Sequence, residues 1–319
     1  MRTHSLALPL ALLFGGACTT QRVSPEQSSV TSARTSPAVA ADGHAGHDMG
    51  GGTSGSGPAT AASAPAQGAG VAPGAAESAA RIQASPRHAE WAMIPTGPGA
   101  SDSIAAWVVY PERRDNAPVV VVIHEIFGLS TWVRGVADQL AADGFIAIAP
   151  DLLSIERGGA TTDSMAYADA RAMIGRVTPD KMNAMVAAAG RYGMSLPSAR
   201  KVYGIVGYCW GGAAAFNHAV FGAAGLKAAV VFYGAAPEAP EIAKVRIPVL
   251  GHYGENDQRV NATIARADST MRAIGGIFEH RTYAGARHGF LRQQDVEENA
   301  AASRLAWPET VAWFRRHLR

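Results

Sequence analysis

The residues best suited to covalent chemistry lie in Gly207-Tyr208-Cys209-Trp210-Gly211-Gly212, where an apolar strand pattern over Lys201–Gly207 runs straight into a helical pattern from Trp210. A cysteine in a glycine-flanked strand-to-helix turn has the form of a nucleophile elbow, with sulfur in place of the usual serine oxygen. The turn is too tight for side chains two positions before and after the nucleophile. It forces the nucleophile into a strained conformation, exposed above the sheet. Cys209 also falls at a helix N-terminus, whose dipole favours the thiolate. A free thiol is more often an inert core residue; three glycines at these offsets favour the nucleophile.

Such a nucleophile needs an acid and then a base, in that chain order. Asp257 closes the turn Gly254-Glu255-Asn256-Asp257 after the strand pattern Ile247–Tyr253. Ligands and catalytic groups gather at that end of the strands in open α/β sheets. His288 follows the last strand pattern, in Ala284-Gly285-Ala286-Arg287-His288-Gly289-Phe290, just before the final helix. The other histidines are poorer bases: His252 precedes the acid, His280 lies within a strand and His317 sits on the terminal helix. The apolar run Val119–Ile123 ends in His124-Glu125-Ile126-Phe127-Gly128. The loop after that strand donates one oxyanion-hole N–H and the residue after the nucleophile the other, which nominates Ile126 and Trp210. Glu125 is unusual, because a carboxylate at the mouth of a buried strand is costly without a partner. Phe127, Trp132, Trp210 and Phe290 suggest an apolar pocket around these groups.

The elements that must position them alternate strand and helix. Ile104–Tyr110 reads as an edge strand, and the five β-branched residues Val119–Ile123 as a strand buried on both faces. Thr131 reads as the N-cap of a helix ending near Gly144, and Phe145–Ala149 as the next strand, closed by Pro150. Helical patterns follow over Asp163–Gly175 and Pro179–Tyr192, then the elbow strand. Ala228–Tyr233, Ile247–Tyr253 and Phe278–Tyr283 read as strands, Val260–Ile274 and Pro308–Leu318 as helices. The alternation predicts an α/β fold with a mostly parallel sheet and helices on both faces.

Composition sets the limits of this unit. From Cys18 to Glu90 the chain of 319 residues has no Phe, Trp, Tyr or Leu. Residues 19–85, mostly Ala, Gly, Ser, Thr and Pro, offer too little apolar surface to offset an ordering entropy of roughly 1–2 kcal/mol per residue, and read as a tether. The folded unit is then 86–319. Residues 1–18 read as an export signal: the apolar run Leu6–Phe14 is too short to span a bilayer. With Gly15, Gly16 and Ala17 leading into Cys18, it resembles a bacterial lipoprotein signal, although Gly15 stands where leucine is usual. An ordinary secretory signal cut near Ala17 is the alternative. The lipoprotein reading implies lipidation of Cys18 and membrane attachment facing the periplasm or cell surface. Only two cysteines are present, Cys18 and Cys209, so no structural disulfide is expected. A net charge of +2, with no polybasic field, argues against a nucleic-acid partner. His44, His47 and Met49 in the tether offer soft metal ligands on unstructured chain, a weak site.

His124-Glu125-Ile126-Phe127-Gly128-Leu129, Ala149-Pro150-Asp151-Leu152, the Cys209 elbow, Gly254–Val260 and Gly285–Phe290 together resemble the dienelactone hydrolase family of α/β-hydrolases. The resemblance covers about residues 100–318. It implies an α/β-hydrolase fold, a Cys209-Asp257-His288 triad, hydrolysis of enol lactones or other carboxylic esters, and no cofactor. It also implies that Glu125 keeps the resting thiol protonated and takes its proton when substrate binds. Family members that act on dienelactone hold its carboxylate with two arginines. Arg292 matches one. The segment that carries the other reads Thr161–Tyr167 without arginine, with Arg157 and Arg171 out of register. Alternatives are a thioesterase or other acyl hydrolase, and a non-catalytic surface or metal-binding lipoprotein.

Overall fold

The computed structural model describes residues 70–319 apart from Pro98 and Arg114. In chain order the elements are α1 (Ser78–Gln83), β1 (Ala89–Pro95), β2 (Ser103–Val109), β3 (Ala117–Ile123), α2 (Thr131–Ala142), β4 (Ile146–Pro150), α3 (Ser154–Arg157), α4 (Tyr167–Ile174), α5 (Pro179–Ser195), β5 (Ala199–Tyr208), α6 (Trp210–Phe221), β6 (Leu226–Phe232), α7 (Ala239–Ile242), β7 (Val249–Asn256), α8 (Gln258–Asn261), α9 (Ile264–Ala273), β8 (Phe278–Arg287) and α10 (Glu297–His317). The strands form one sheet in the order β1-β2-β4-β3-β5-β6-β7-β8. All pairs from β4 to β8 are parallel, and β1 and β2 are antiparallel additions at one edge.

The β-branched run of β3 explains why the sheet is covered on both faces. Val120 and Val122 pack on the side of α2 and α10, while Val119, Val121 and Ile123 pack on the side of α5 and α6. A strand buried on both faces carries no polar position, so the alternation of a half-exposed strand is missing. From β3 the chain crosses to β4 on one side, and β5 lies on the other. The loops after β3 and β5 therefore diverge and leave a crevice at the C-terminal ends of the strands, the usual ligand position in such sheets.

Several local expectations change. Ile104–Tyr110 is the second strand, not the edge; β1 takes the edge, and with Glu90, Trp91 and Met93 exposed it lacks a buried periodicity to betray it. Ser130 rather than Thr131 is the N-cap of α2; the Thr131 N–H and hydroxyl instead bond the Asp163 carboxylate. Asp163 itself lies ahead of α4. The helix expected from Val260 is broken into α8 and α9. The terminal helix begins at Glu297 and runs through Pro308. Proline forfeits one helical hydrogen bond there, but burial of Trp307, Val311 and Phe314 along the same face outweighs it.

The boundary between tether and domain also moves. Residues 70–85, expected in the tether, pack on the domain, with Ala72, Pro73, Gly74 and Ser78 buried. The segment docks by hydrogen bonds more than by large apolar groups, which is why composition concealed it. The Trp132 indole N–H donates to the Pro73 carbonyl (3.0 Å), Gln294 Nε2 to the Ala72 carbonyl (2.8 Å), and the Ala75 N–H to the Arg292 carbonyl (2.8 Å). At the far end Arg87 grips the buried Asp138 through Nε (3.0 Å) and an Nη atom (2.8 Å). Residues 1–69, including Cys18, His44, His47 and Met49, lie outside the described residues.

Candidate active site

The elbow between β5 and α6 has the backbone that its glycines require. Cys209 sits at φ 57° and ψ −117°, one of three non-glycine residues with positive φ among the described residues. Strain of this kind persists only where the surroundings over-determine it. A Cβ on Gly207 would stand 1.9 Å from the Gly211 carbonyl oxygen, and one on Gly211 would stand 2.3 Å from the His124 carbonyl oxygen. Backbone thus packs directly on backbone where β5, α6 and the loop after β3 meet. Cys209 is half-buried at this junction. Trp210 is the first residue of α6, so its N–H has no intrahelical acceptor. Ile126, on the loop after β3, is half-buried, and His124 of the same loop stacks on the Trp210 ring with centroids 5.7 Å apart.

Asp257 and His288 come from the ends of the two neighbouring strands β7 and β8. The His288 Nδ1 lies 2.5 Å from Asp257 Oδ2. Asp257 is buried, whereas His288 is a third exposed. Burial works to lower the His288 pKa, but the hydrogen bond to Asp257 and contact with Cys209 outweigh it and raise the pKa to about 9. Imidazolium is therefore the favoured state of His288 at neutral pH. Tyr233, at the end of β6, packs edge-on against the His288 ring with centroids 5.1 Å apart.

Glu125 has the partner that its position demands. Its Oε2 is 2.8 Å from Arg292 Nε, and the carboxylate is almost fully buried. Burial pushes its pKa upward, against the pull of Arg292 and His288. The pair is close yet badly aimed, since Arg292 Nε makes no hydrogen bond of good geometry. The hydroxyls of Tyr208 and Tyr233 are also buried without a hydrogen-bond partner among the described residues. Their pKa values are raised by burial first and by the Glu125 charge second. The neighbouring His124 is a brace. Its Nε2 accepts from the Leu152 N–H (3.1 Å), so Nδ1 donates to the Glu125 carbonyl (2.6 Å). Burial lowers its pKa and keeps it neutral. The Asp151 carboxylate in turn accepts from the N–H groups of Leu153 and Thr161, ordering the segment after β4, and the Thr161 hydroxyl accepts from the Leu129 N–H to hold that segment against the loop after β3.

A cleft of about 390 Å³ opens on the outer side of the Glu125–Arg292 pair, lined in part by Phe127, Trp132 and Arg292. The Arg292 guanidinium lies 5.4 Å from the centre of the Phe127 ring. Phe290, expected in the pocket, is instead wholly buried and packs against Phe232, Tyr233 and Tyr283. Its place directly after the His288 loop makes it the core anchor of that loop. His252 is a core residue bonded to Tyr283 and Thr310. Sequence reasoning missed Tyr233, whose signal was an aromatic-glycine pair at a strand's C-terminal end. Among the described residues no group of three or more His, Cys, Asp or Glu side chains is placed to hold a metal.

Comparison with known proteins shows the family and the fold. The model of the dienelactone hydrolase family matches residues 104–318. A protein of Escherichia coli K12 named "Putative carboxymethylenebutenolidase" is 29% identical over 268 residues, covering 78% of this chain and 95% of its own. One from Methylorubrum extorquens, of the same name, is 28% identical and covers 67% of this chain and 77% of its own. Among solved structures, a Klebsiella pneumoniae protein described as a "Putative Dienelactone Hydrolase" superposes with a TM-score of 0.63 at 26% identity, over 72% of this chain and 99% of that chain. A dienelactone hydrolase from Anabaena variabilis superposes at 0.56 with 20% identity, over 73% and 99%.

Proposed function

The chain belongs to the dienelactone hydrolase family and has its α/β-hydrolase fold, and from that premise we propose that it hydrolyses carboxylic esters or lactones with Cys209 as nucleophile. The observation that carries the reading is the strained Cys209 turn standing beside the His288–Asp257 pair. In this reading the substrate carbonyl sits over Cys209, its oxygen directed at the N–H groups of Ile126 and Trp210. An anionic group on the substrate competes for Arg292 and draws it from Glu125. The buried carboxylate, left without its cation, lowers its energy by taking a proton, and Cys209 supplies it.

The thiolate then attacks the carbonyl carbon, and the C–O bond to the leaving oxygen breaks as the carbonyl reforms. His288 gives its proton to the departing alkoxide or enolate, leaving a thioester on Cys209. Neutral His288, oriented by Asp257, next takes a proton from water as the water attacks the thioester. The thiolate leaves and the acid product is released. One matching arginine favours substrates with a single carboxylate near Arg292 and an apolar body beside Phe127 and Trp132. Export and membrane attachment through Cys18 belong to the same reading and rest on the signal-like residues 1–18. Serine at Cys18 is then expected to release the protein from membranes without changing turnover, and recovery of the unaltered protein in a soluble periplasmic extract removes that part.

The deciding experiment is a panel of aryl esters, lactones and thioesters assayed with the unaltered protein and Cys209→Ala. Hydrolysis of esters or lactones that vanishes in the variant supports the reading. Preference for thioesters moves the assignment to a thioesterase, and turnover that survives in the variant overturns Cys209 as nucleophile.

A further inference from the structure

Residues 70–83 lie outside the part of the chain that matches the family model, yet they reach the cleft beside Glu125 and Arg292. Ala75 and Ala79 line it together with Phe127, Trp132, Met165 and Arg292. The segment is fixed in place rather than draped there. The Ala72 and Pro73 carbonyls and the Ala75 N–H are each bonded to the domain, at Gln294, Trp132 and Arg292 respectively. Ser78 is buried and its hydroxyl donates to the Gly74 carbonyl (2.6 Å), closing the turn before α1. On the other side α2 makes room: a Cβ on Gly135 would stand 3.0 Å from the Ser78 side chain and 3.1 Å from the Pro73 ring.

We propose that this segment is a wall of the substrate pocket, and that the small side chains of Ala75 and Ala79 set how bulky an apolar substituent the enzyme accepts. The proposal rests on the ester or lactone hydrolase reading above and specifies its substrate class: compounds whose aryl or branched group extends past Arg292 into the cleft. Three observations support it. Ala75 and Ala79 are exposed and line the cleft, whereas Ala72 and Ser78 of the same segment are buried. The wall is also bonded to the backbone of Arg292, so its position and that of the Glu125 partner are set together. Finally, the segment that bears the second arginine in dienelactone-cleaving relatives contributes Thr162, Asp163 and Met165 here, which leaves that side of the cleft without a cation for a second carboxylate.

Leucine in place of Ala75 or Ala79 projects into the cleft without entering the core, and Ala80→Leu is the control, exposed on the same helix but not lining the cleft. In the full-length protein, kcat/KM is measured for p-nitrophenyl acetate and for p-nitrophenyl esters with phenyl or branched acyl groups. Either cleft variant is expected to lower the bulky-to-small ratio about tenfold, the scale of a hydrophobic-pocket misfit, with Ala80→Leu unchanged. A second reading does not depend on turnover: the rates at which iodoacetamide and an N-aryl iodoacetamide alkylate Cys209, followed by peptide mapping. The cleft variants should slow the bulky reagent selectively. If the unaltered protein hydrolyses no ester or lactone, the functional reading fails while the alkylation ratio still decides the wall. Unchanged ratios in both cleft variants, or an equal change in Ala80→Leu, overturn the proposal.

Discussion

The two sides of the site are built by different means. On one side the Cys209 elbow is a matter of six consecutive residues, and its shape follows from backbone atoms meeting where side chains would not fit. On the other, Glu125, Arg292 and the segment around Ala75 come from three distant parts of the chain and are held by single hydrogen bonds and one ill-aimed ion pair. The elbow is rigid because any change in it meets backbone. The Glu125 side is separable because Glu125 and Arg292 meet only through their side-chain ends. A nucleophile benefits from the first kind of construction, and a group that must change partners during a reaction from the second.

The largest effect expected is at the rigid side. Cys209→Ala should lower turnover of esters or lactones by about 10⁴-fold or more, the scale of losing a covalent nucleophile, while the melting temperature stays close to that of the unaltered protein. Thermal melts alongside the assay separate lost chemistry from lost fold.

Glu125→Gln probes the separable side. Gln keeps the shape but cannot accept a proton near neutral pH, so a fall of about 10²–10⁴-fold is expected if Glu125 activates the thiol. Alkylation of Cys209 during turnover should slow as well. Near-normal turnover would mean that His288 alone deprotonates Cys209, and would leave the triad intact.

The pH response tests the link between the two sides. His288 has a pKa raised to about 9 in the folded protein, against an ordinary value of about 6.5. A raised pKa favours the folded state when the imidazole is protonated. That contribution is complete below about pH 6.5 and is lost as pH rises through about 9. Activity should fall along an alkaline limb near pH 9 as the acid that protonates the leaving group disappears. In Asp257→Asn the largest upward influence on His288 is removed while burial remains, so the limb should move to lower pH. A limb that does not move in that variant separates His288 from the profile.

The smallest effect on turnover is expected where the N-terminal segment is anchored. Asp138 is buried and bonded by Arg87, so Asp138→Ala leaves that largely buried guanidinium with only its 3.4 Å contact to Glu112. A loss of about 1.5–3 kcal/mol, the scale of hydrogen bonds to a charged group, corresponds to roughly 3–12 °C in melting temperature for a domain of this size. Turnover per folded molecule at 25 °C should change by less than about tenfold, because the pair anchors the wall without touching the reacting atoms. A melting temperature unaffected by the change would show that the anchor contributes nothing to the fold.

What could be read in the sequence follows from where the determining forces are local. The elbow was legible because its steric rule acts between residues two apart, and Asp257 and His288 because strand ends are marked by a change from apolar runs to glycine-rich turns. The central strand β3 declared itself through five β-branched residues, but β1 did not, since an edge strand with one solvated face carries little apolar pattern. Phe290 was misplaced for a related reason: an aromatic next to a catalytic loop looks the same in sequence whether it faces the cleft or the core. Only the fold decided that it anchors the loop from behind, that Arg292 is bound to Glu125, and that residues 70–85 belong to the domain. Those three facts depend on contacts between separate parts of the chain, from Phe232 against Phe290 to Gln294 on the Ala72 carbonyl. Backbone carbonyls and small side chains make such contacts without leaving any mark on composition or periodicity, so the sequence determines them only through the assembled tertiary structure.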